Sequence, residues 1–432
     1  MYLYDQLLQR AAENKPVRVG LIGAGKFGSM FLSQVPTTPA LSVTVIADLY
    51  PDRARAACAA VGWPKSLIEA TNFTDDAGAM MASGAVDVVV EATGNPVIGA
   101  RHAQQAIQNG LHIVMVNVEA DVLAGAALAA QARQAGVVYS MAYGDQPALT
   151  IEMIDWARAT GFEVVAAGKG TKYLPSYHSS TPDTVWDHYG LTADEAQAAG
   201  MNSQMFNSFL DGTKSALEMA AISNATGLAA PSGGLNFPAA GMDDLAHILR
   251  PKSAGGCLEK SGQVEVVSSL ERDGRPVYKD LRWGVYVVIE APNDYAAACF
   301  KQYGMNTDAS GRYSAMYKPF HLIGLELNIS ILSAALLGQP TGMTKGYNSD
   351  VIATAKRPLK AGEILDGEGG YTVWGQLYPA QTAAAINGVP IGLAHQVKLT
   401  RDVQAGAPVT WHDVGSHPEH DIVALRKSMQ PI

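Results

Sequence analysis

The stretch that most limits what this chain can become is Val17–Gly28, VRVGLIGAGKFG, an apolar run leading straight into a Gly-x-Gly-x-x-Gly turn. In a strand–turn–helix each glycine has its own task. Gly23 makes the tight exit from the strand, Gly25 leaves the backbone open to a pyrophosphate, and Gly28 lets the next helix pack close to the sheet. Ala24, Lys26 and Phe27 complete the turn, and its free N–H groups sit at a helix start, where anions are favoured. The triplet gains its meaning from context. A helix-compatible FGSMFLSQV follows, and LSVTVIAD then ends in Asp48, twenty residues past Gly28. A carboxylate there is placed to accept hydrogen bonds from a ribose hydroxyl pair.

The following segments repeat the same rhythm. Residues 43–48 read as a strand, 52–61 as a helix, and 86–92 as a parallel strand buried on both faces, because it is apolar almost throughout. Thr93-Gly94-Asn95-Pro96 makes a turn before a helix over 100–109, and residues 111–117 and 137–142 supply two more strands. Such alternation predicts a doubly wound α/β domain over residues 1–145, with ligands at the carboxyl ends of its strands. Thr93, Gly94 and Asn117 lie at those ends and are expected to line the nicotinamide half of a dinucleotide site.

From about Gly144 strands and helices segregate, which predicts an α+β domain over 146–347. GFEVVAAGKGTKYLPSYHSS reads as a strand and then a Gly-, Pro- and Ser-rich loop. A long Ala/Met-rich helix is expected over 207–224, with strands over 264–268 and 285–290. The tail, 348–432, holds an internal repeat: KRPLKAGEIL (356–365) aligns without a gap on TRDVQAGAPV (400–409). Arg357/Arg401, Ala361/Ala405 and Gly362/Gly406 are identical, so two similar arms are expected to pair in a small β-rich module, with Gly367, Gly369 and Gly370 loosening the loop between.

A net charge of −9 without a basic stripe argues against a nucleic-acid partner. Three scattered cysteines form no CxxC pair and fit a reducing compartment. The first residues read as a short amphipathic helix rather than a signal peptide. The very apolar stretch 320–338 carries His321, Glu326 and Asn328, so a helix buried in protein is expected there rather than a membrane span. The expectation is a soluble, cytoplasmic protein with a small-molecule substrate.

Three segments place charge among apolar neighbours. Lys169 and Lys172, on a glycine-bearing loop, can bring two ammonium groups and backbone N–H groups onto one anion, with His178 further along the same loop. In the long helix, Asp211, Lys214 and Glu218 fall on one stripe, where a lysine between carboxylates can act as a general acid or stabilise an alkoxide. Asn224 is a further polar candidate on that helix. Lys318 and His321 enter the apolar helix of 320–338 and are candidate substrate contacts. No Gly-x-Ser-x-Gly elbow and no His-Glu-x-x-His pair occurs, so neither a serine hydrolase nor a zinc protease is supported.

GLIGAGKFG, VVVEATGNP and HIVMVNVEADV resemble the nucleotide domains of homoserine dehydrogenases and 1-deoxy-D-xylulose 5-phosphate reductoisomerases. Those enzymes carry Asn-Lys where this chain has Asn117-Val118-Glu119, so the lysine's role moves elsewhere or is not needed. With FLDGTKSALEMA and MYKPFHLIGLEL included, nearly the whole chain is most similar to the 1-deoxy-D-xylulose 5-phosphate reductoisomerase-like family, and the tail repeat resembles a SAF (β-clip) domain. The resemblance implies a Rossmann domain, an α+β catalytic domain and the SAF-like module. It also implies a homodimer, a divalent metal (magnesium or manganese) for which Glu119, Asp121, Asp211 and Glu218 are candidate oxygen ligands, and NADPH-dependent rearrangement with reduction of a ketose phosphate or, in reverse, oxidation of a branched sugar acid. Asp48 favours NAD over NADP, and Arg53 beside it can compensate for a 2′-phosphate. In this scheme Lys169 and Lys172 hold the substrate's anionic end and Lys214 polarises its carbonyl. Two alternatives stay open: a plain dehydrogenase of the homoserine type, and a nucleotide-sensing, carbohydrate-binding protein.

Overall fold

Six short apolar runs become the strands of one parallel sheet because each is flanked by a helix that covers a face of it. In the computed structural model, which describes residues 3–432, these strands are β1 (Val17–Ile22), β2 (Leu41–Ala47), β3 (Asn72–Thr74), β4 (Val88–Glu91), β5 (His112–Met115) and β6 (Tyr139–Met141). Their order is β3-β2-β1-β4-β5-β6, with every neighbouring pair parallel. This is the doubly wound α/β arrangement whose strand order reverses between β1 and β4. Val88, Val89 and Val90 are wholly buried, as the unbroken apolar run predicts. The strands are shorter than expected at both ends of β4 and β5. Asn95 and Asn117 stop them by capping the helices Pro96–Gln108 and Val118–Ala135, their side-chain oxygens accepting from backbone N–H groups of the first turn.

The chain divides into two units. One takes in everything up to Leu149 together with Leu322–Lys345 and Ala424–Met429; the other holds Thr150–His321, Gly346–Val423 and the last three residues. In the first, the amphipathic helix Leu3–Ala12 buries Leu3 and Leu7 in the same core as Ile331 and Leu332. The helix expected over 320–338 is much shorter: residues before 328 are irregular, and only Asn328–Leu332 and the π-helical Ser333–Leu337 are helical. Gly324, at φ +77°, packs against the backbone of Phe27 and Phe31, a turn that a continuous helix cannot make.

The second unit contains a mixed sheet, β10-β9-β7-β8, made of β7 (Glu163–Thr171), β8 (Gln263–Ser268), β9 (Val285–Glu290) and β10 (Tyr313–Lys318). Gly168-Lys169-Gly170-Thr171 is therefore strand rather than loop. The glycines are needed because a Cβ at Gly168 or Gly170 would stand 1.9 Å from a carbonyl oxygen of Glu265 or Leu281. The helix expected over 207–224 is two helices, Ser203–Leu210 and Thr213–Thr226, broken at Gly212 with φ +94°.

The tail's repeat forms a local two-fold. Its strands are β11 (Ser349–Ala355), β12 (Ile364–Asp366), β13 (Val373–Pro379) and β14 (His395–Lys398), paired β11–β13 and β12–β14. The equivalent residues Leu359 and Val403 exchange backbone hydrogen bonds of 2.8 and 3.0 Å. Gly362 N–H donates to Leu399 O, and its repeat mate Gly406 donates to Ala355 O, each at 2.8 Å. The glycine loop after β12 is ordered rather than loose, since the Asp366 carboxylate accepts from the N–H groups of Tyr371 (2.6 Å) and Thr372 (3.1 Å).

Candidate functional site

In the first unit the three glycines of the turn differ as their expected tasks require. Gly23 has φ +93° and donates to Ala47 O at 2.8 Å, turning the chain off the end of β1. Gly28 lies so close to it that a Cβ would be 2.5 Å from Gly23 O. Gly25 is exposed, has ordinary φ of −70°, and has nothing within 4 Å of where a Cβ would be. It is the N-cap of the helix Lys26–Gln34, and no side chain caps that helix. The first N–H groups of that helix, with exposed Lys26 and half-buried Phe27, leave a backbone cradle of the kind a pyrophosphate fills.

Asp48, just past β2, accepts from Ala24 N–H and from Tyr50 N–H, both at 2.9 Å. A carboxylate offers about four acceptor positions, so this acid can organise the turn and still receive ribose hydroxyls. Arg53 is exposed, its guanidinium 5.4 Å from the Tyr50 ring centre. Thr93 and Gly94 are exposed beyond β4. The Thr93 N–H (3.2 Å) and hydroxyl donate to Glu91, a wholly buried carboxylate also 3.4 Å from His102 Nδ1. Asn117, by contrast, is buried and occupied: its oxygen caps a helix and its amide donates to Asn95 O at 2.8 Å. It braces two turns. The residues present thus fit an adenine dinucleotide at Gly23–Gly28 and Asp48.

In the second unit the expected charged stripe is redistributed. Asp211 ends the first helix and forms an ion pair with Lys356 at 2.8 Å, the side chains 0% and 2% exposed. Lys356 also donates to Ser180 O and Gly370 O, both at 2.7 Å. Lys169, on β7, is ion-paired with Glu218 in a nearly dry environment. Lys214 and Glu218 keep their one-turn spacing on the second helix. From Thr213 to Ala225 that helix is buried at every position except Lys214. Lys172 lies just past the end of β7, where its ammonium donates to His188 O.

His178 has a defined proton arrangement. Its Nδ1 is 2.7 Å from Asp211 O, an acceptor only, so Nδ1 carries the hydrogen and Nε2 accepts from the Tyr173 hydroxyl at 2.9 Å. Trp374 stacks on the imidazole and Phe237 on Tyr173, each with ring centres 3.9 Å apart. Burial holds the His178 pKa below its usual value, so the ring is neutral near pH 7. Phe237 is kept at φ +49° by Glu265, whose buried carboxylate accepts from the N–H groups of Asn236, Phe237 and Val266.

Other expected contacts resolve differently. Asn224 is buried, and its oxygen accepts from the N–H groups of Asn348 (2.8 Å) and Ser349 (2.9 Å), so it fixes the start of β11. His321 precedes no helix; its Nδ1 is 2.7 Å from Trp283 O. Lys318 ends β10 with its ammonium 5.4 Å from the Phe320 ring centre. Among the described residues no group of three or more His, Cys, Asp or Glu side chains is placed to hold a metal ion. Asp211 and Glu218 each face a buried lysine, Asp121 accepts from the hydroxyls of Tyr139 and Thr344, and half-buried Glu119 joins no such group, so the expected ligand set does not fit. Lys356, Tyr173, Trp374 and Glu265 escaped sequence reasoning; only Lys356 left a trace there, as the first residue of the repeat.

Residues 23–141 match the family described as homoserine dehydrogenase, NAD binding domain, and residues 144–327 match the catalytic domain of oxidoreductase DRL. Taken with the sheet order and the glycine turn, these define an NAD(P)-binding oxidoreductase. No curated protein matches the chain. Among solved structures, levoglucosan dehydrogenase in complex with NADH and L-sorbose is similar over 38% of this chain and 46% of that one, at 21% identity and a TM-score of 0.29. The myo-inositol dehydrogenase of Lactobacillus casei, in complex with NAD(H) and myo-inositol, is similar over 40% and 50%, at 16% identity and a TM-score of 0.30. The chain spans about half the length of these structures. Among the described residues no helix is long and apolar enough to cross a membrane.

Proposed function

We propose that the chain is an NAD(P)-dependent reductoisomerase, coupling carbon-skeleton rearrangement of a ketose phosphate or branched sugar acid to hydride transfer. The match of residues 144–327 to the catalytic domain of oxidoreductase DRL supports the hydride-transfer part of this reading, and the rearrangement rests on the sequence resemblance to the reductoisomerase-like family. Supporting it, Lys214 is the one position between Thr213 and Ala225 of its helix that keeps access to solvent and hence to a small molecule. When bound, the nicotinamide supplies or accepts the hydride. Gly25 and the adjoining N–H groups hold its pyrophosphate, and Asp48 the ribose hydroxyls. Lys214 stabilises the developing alkoxide and donates the proton that completes a hydroxyl. Glu218, one turn on, is charge-balanced by Lys169.

The test is product analysis by NMR after incubation with NADPH or NADH and 1-deoxy-D-xylulose 5-phosphate, followed by a panel of sugar phosphates and sugar acids. Nicotinamide oxidation with a rearranged skeleton is expected. Hydride transfer with the skeleton unchanged would instead support a plain dehydrogenase, the reading favoured by the homoserine dehydrogenase match over 23–141. Cofactor binding with no redox change on any substrate would leave only a nucleotide sensor.

A further inference from the structure

Two cations of the second unit, Lys172 and Arg282, stand beside one aromatic ring with no carboxylate between them. The Lys172 ammonium is 5.6 Å and the Arg282 guanidinium carbon 5.8 Å from the centre of the Tyr189 ring. Among the described residues neither forms an ion pair. Lys172 donates only to a backbone carbonyl, and the Arg282 guanidinium lies 4.7 Å from the Trp283 ring centre without a hydrogen-bond acceptor of its own. Asp280, two residues before Arg282, spends its carboxylate on the Arg282 backbone N–H at 2.8 Å. Elsewhere in this unit buried Lys169 is neutralised by Glu218, the Lys356 ammonium by Asp211, and half-buried Arg250 by Asp308.

Both side chains are half-buried rather than free in solvent. Burial first, and then the Arg282 charge, hold the Lys172 pKa below the usual lysine range. Like charges in a partly dry setting repel, and a fold tolerates that where an anion completes the arrangement. Arginine's planar fork suits two oxygens of a phosphate at once, and an ammonium adds a point charge from another direction. The pair flanks Tyr189, with His188 tilted against Tyr177 at 4.7 Å between ring centres beside it.

We propose that Lys172 and Arg282 form a phosphate subsite, which takes the phosphoryl end of the substrate. Arg282 thereby takes over the role expected of Lys169, whose charge Glu218 already cancels. The assignment to the substrate rests on the reductoisomerase reading; the binding of a phosphate dianion does not.

The experiment is a calorimetric titration of the full chain with inorganic phosphate, without nicotinamide, alongside Arg282→Met, Arg282→Lys, Lys172→Met and Lys279→Met. Lys279 is an exposed lysine paired with Asp243 and serves as the control. Arg282→Met and Lys172→Met are each expected to weaken phosphate binding at least tenfold, Arg282→Lys less, and Lys279→Met not at all. Unchanged affinity in Arg282→Met, or no phosphate binding by the unaltered protein at tens of millimolar, overturns the proposal. Acetate bound as tightly as phosphate, with the same dependence on Arg282, overturns the choice of phosphate in favour of a carboxylate. Because the titration reads no turnover, phosphate binding lost in Arg282→Met leaves the subsite standing even where the separate NMR product analysis returns an unrearranged skeleton and sinks the reductoisomerase reading.

Discussion

Lys356 of the tail repeat and Asp211 at the break between two helices form a buried ion pair at 2.8 Å. The pair joins segments far apart in sequence and, with Lys356 bonded to Ser180 O and Gly370 O, pins the glycine loop of the tail to the helix break. Its role is structural, and it withdraws Asp211 from acid–base work.

Removing one member of a buried pair leaves the other uncompensated, which costs about 3–5 kcal/mol. Lys356→Met is therefore expected to lower the unfolding free energy by about that amount in urea denaturation, and Lys356→Met with Asp211→Asn to lose less than the two single changes summed. A loss under about 1 kcal/mol for Lys356→Met would mean that the pair is not dry.

Lys214→Ala is expected to lower kcat about a hundredfold, the scale of a lost acid–base group. Its melting temperature should stay near that of the parent chain, because Lys214 is partly solvent-accessible on its helix. Turnover retained within about threefold would remove Lys214 from the chemistry.

The glycine turn offers a paired test. Gly25→Val meets open space and should fold normally while losing at least tenfold in NADH affinity by calorimetry, since the side chain occupies the pyrophosphate approach. Gly28→Val meets Gly23 O and should destabilise the protein by about 1–3 kcal/mol. Equal NADH affinity in Gly25→Val would place the nucleotide elsewhere.

Burial raises the Asp121 pKa to about 6, above its ordinary value of 3.8, against the opposing hydrogen bonds from Thr344 and Tyr139. In the pH window between those values the folded state binds more protons than the unfolded state, so this group's contribution to stability falls as pH rises from about 4 to 6. The decline amounts to about 3 kcal/mol at most, at 1.36 kcal/mol per pKa unit. Unfolding free energies measured at pH 4 and pH 7 should fall less in Asp121→Asn than in the parent chain. The same fall in both would show that Asp121 does not titrate in that window.

Much of the first unit was legible because its signals are local. The glycine spacing and the unbroken Val88–Val90 run act on their own neighbours, and the strand order follows from βαβ connectivity. The tail repeat was legible as well, since equal segments form equal arms: Leu359 meets Val403, its own counterpart. The π-helical end at Ser333–Leu337 and the break at Gly212 were not, because an apolar, Ala-rich run is compatible with a continuous helix until a packing partner bends it.

What the sequence determined by itself, then, is the nucleotide turn with Asp48 at its side, the parallel sheet beneath it, and a lysine on an otherwise buried helix. What only the tertiary structure decided is which charges remain available. Lys169 and Asp211 read as active groups until Glu218 and Lys356 neutralise them, while Arg282, in no motif, is left beside Lys172 without a counter-ion. An ion pair's worth depends on burial and on partners brought from distant parts of the chain, and neither is written in the spacing of neighbouring residues.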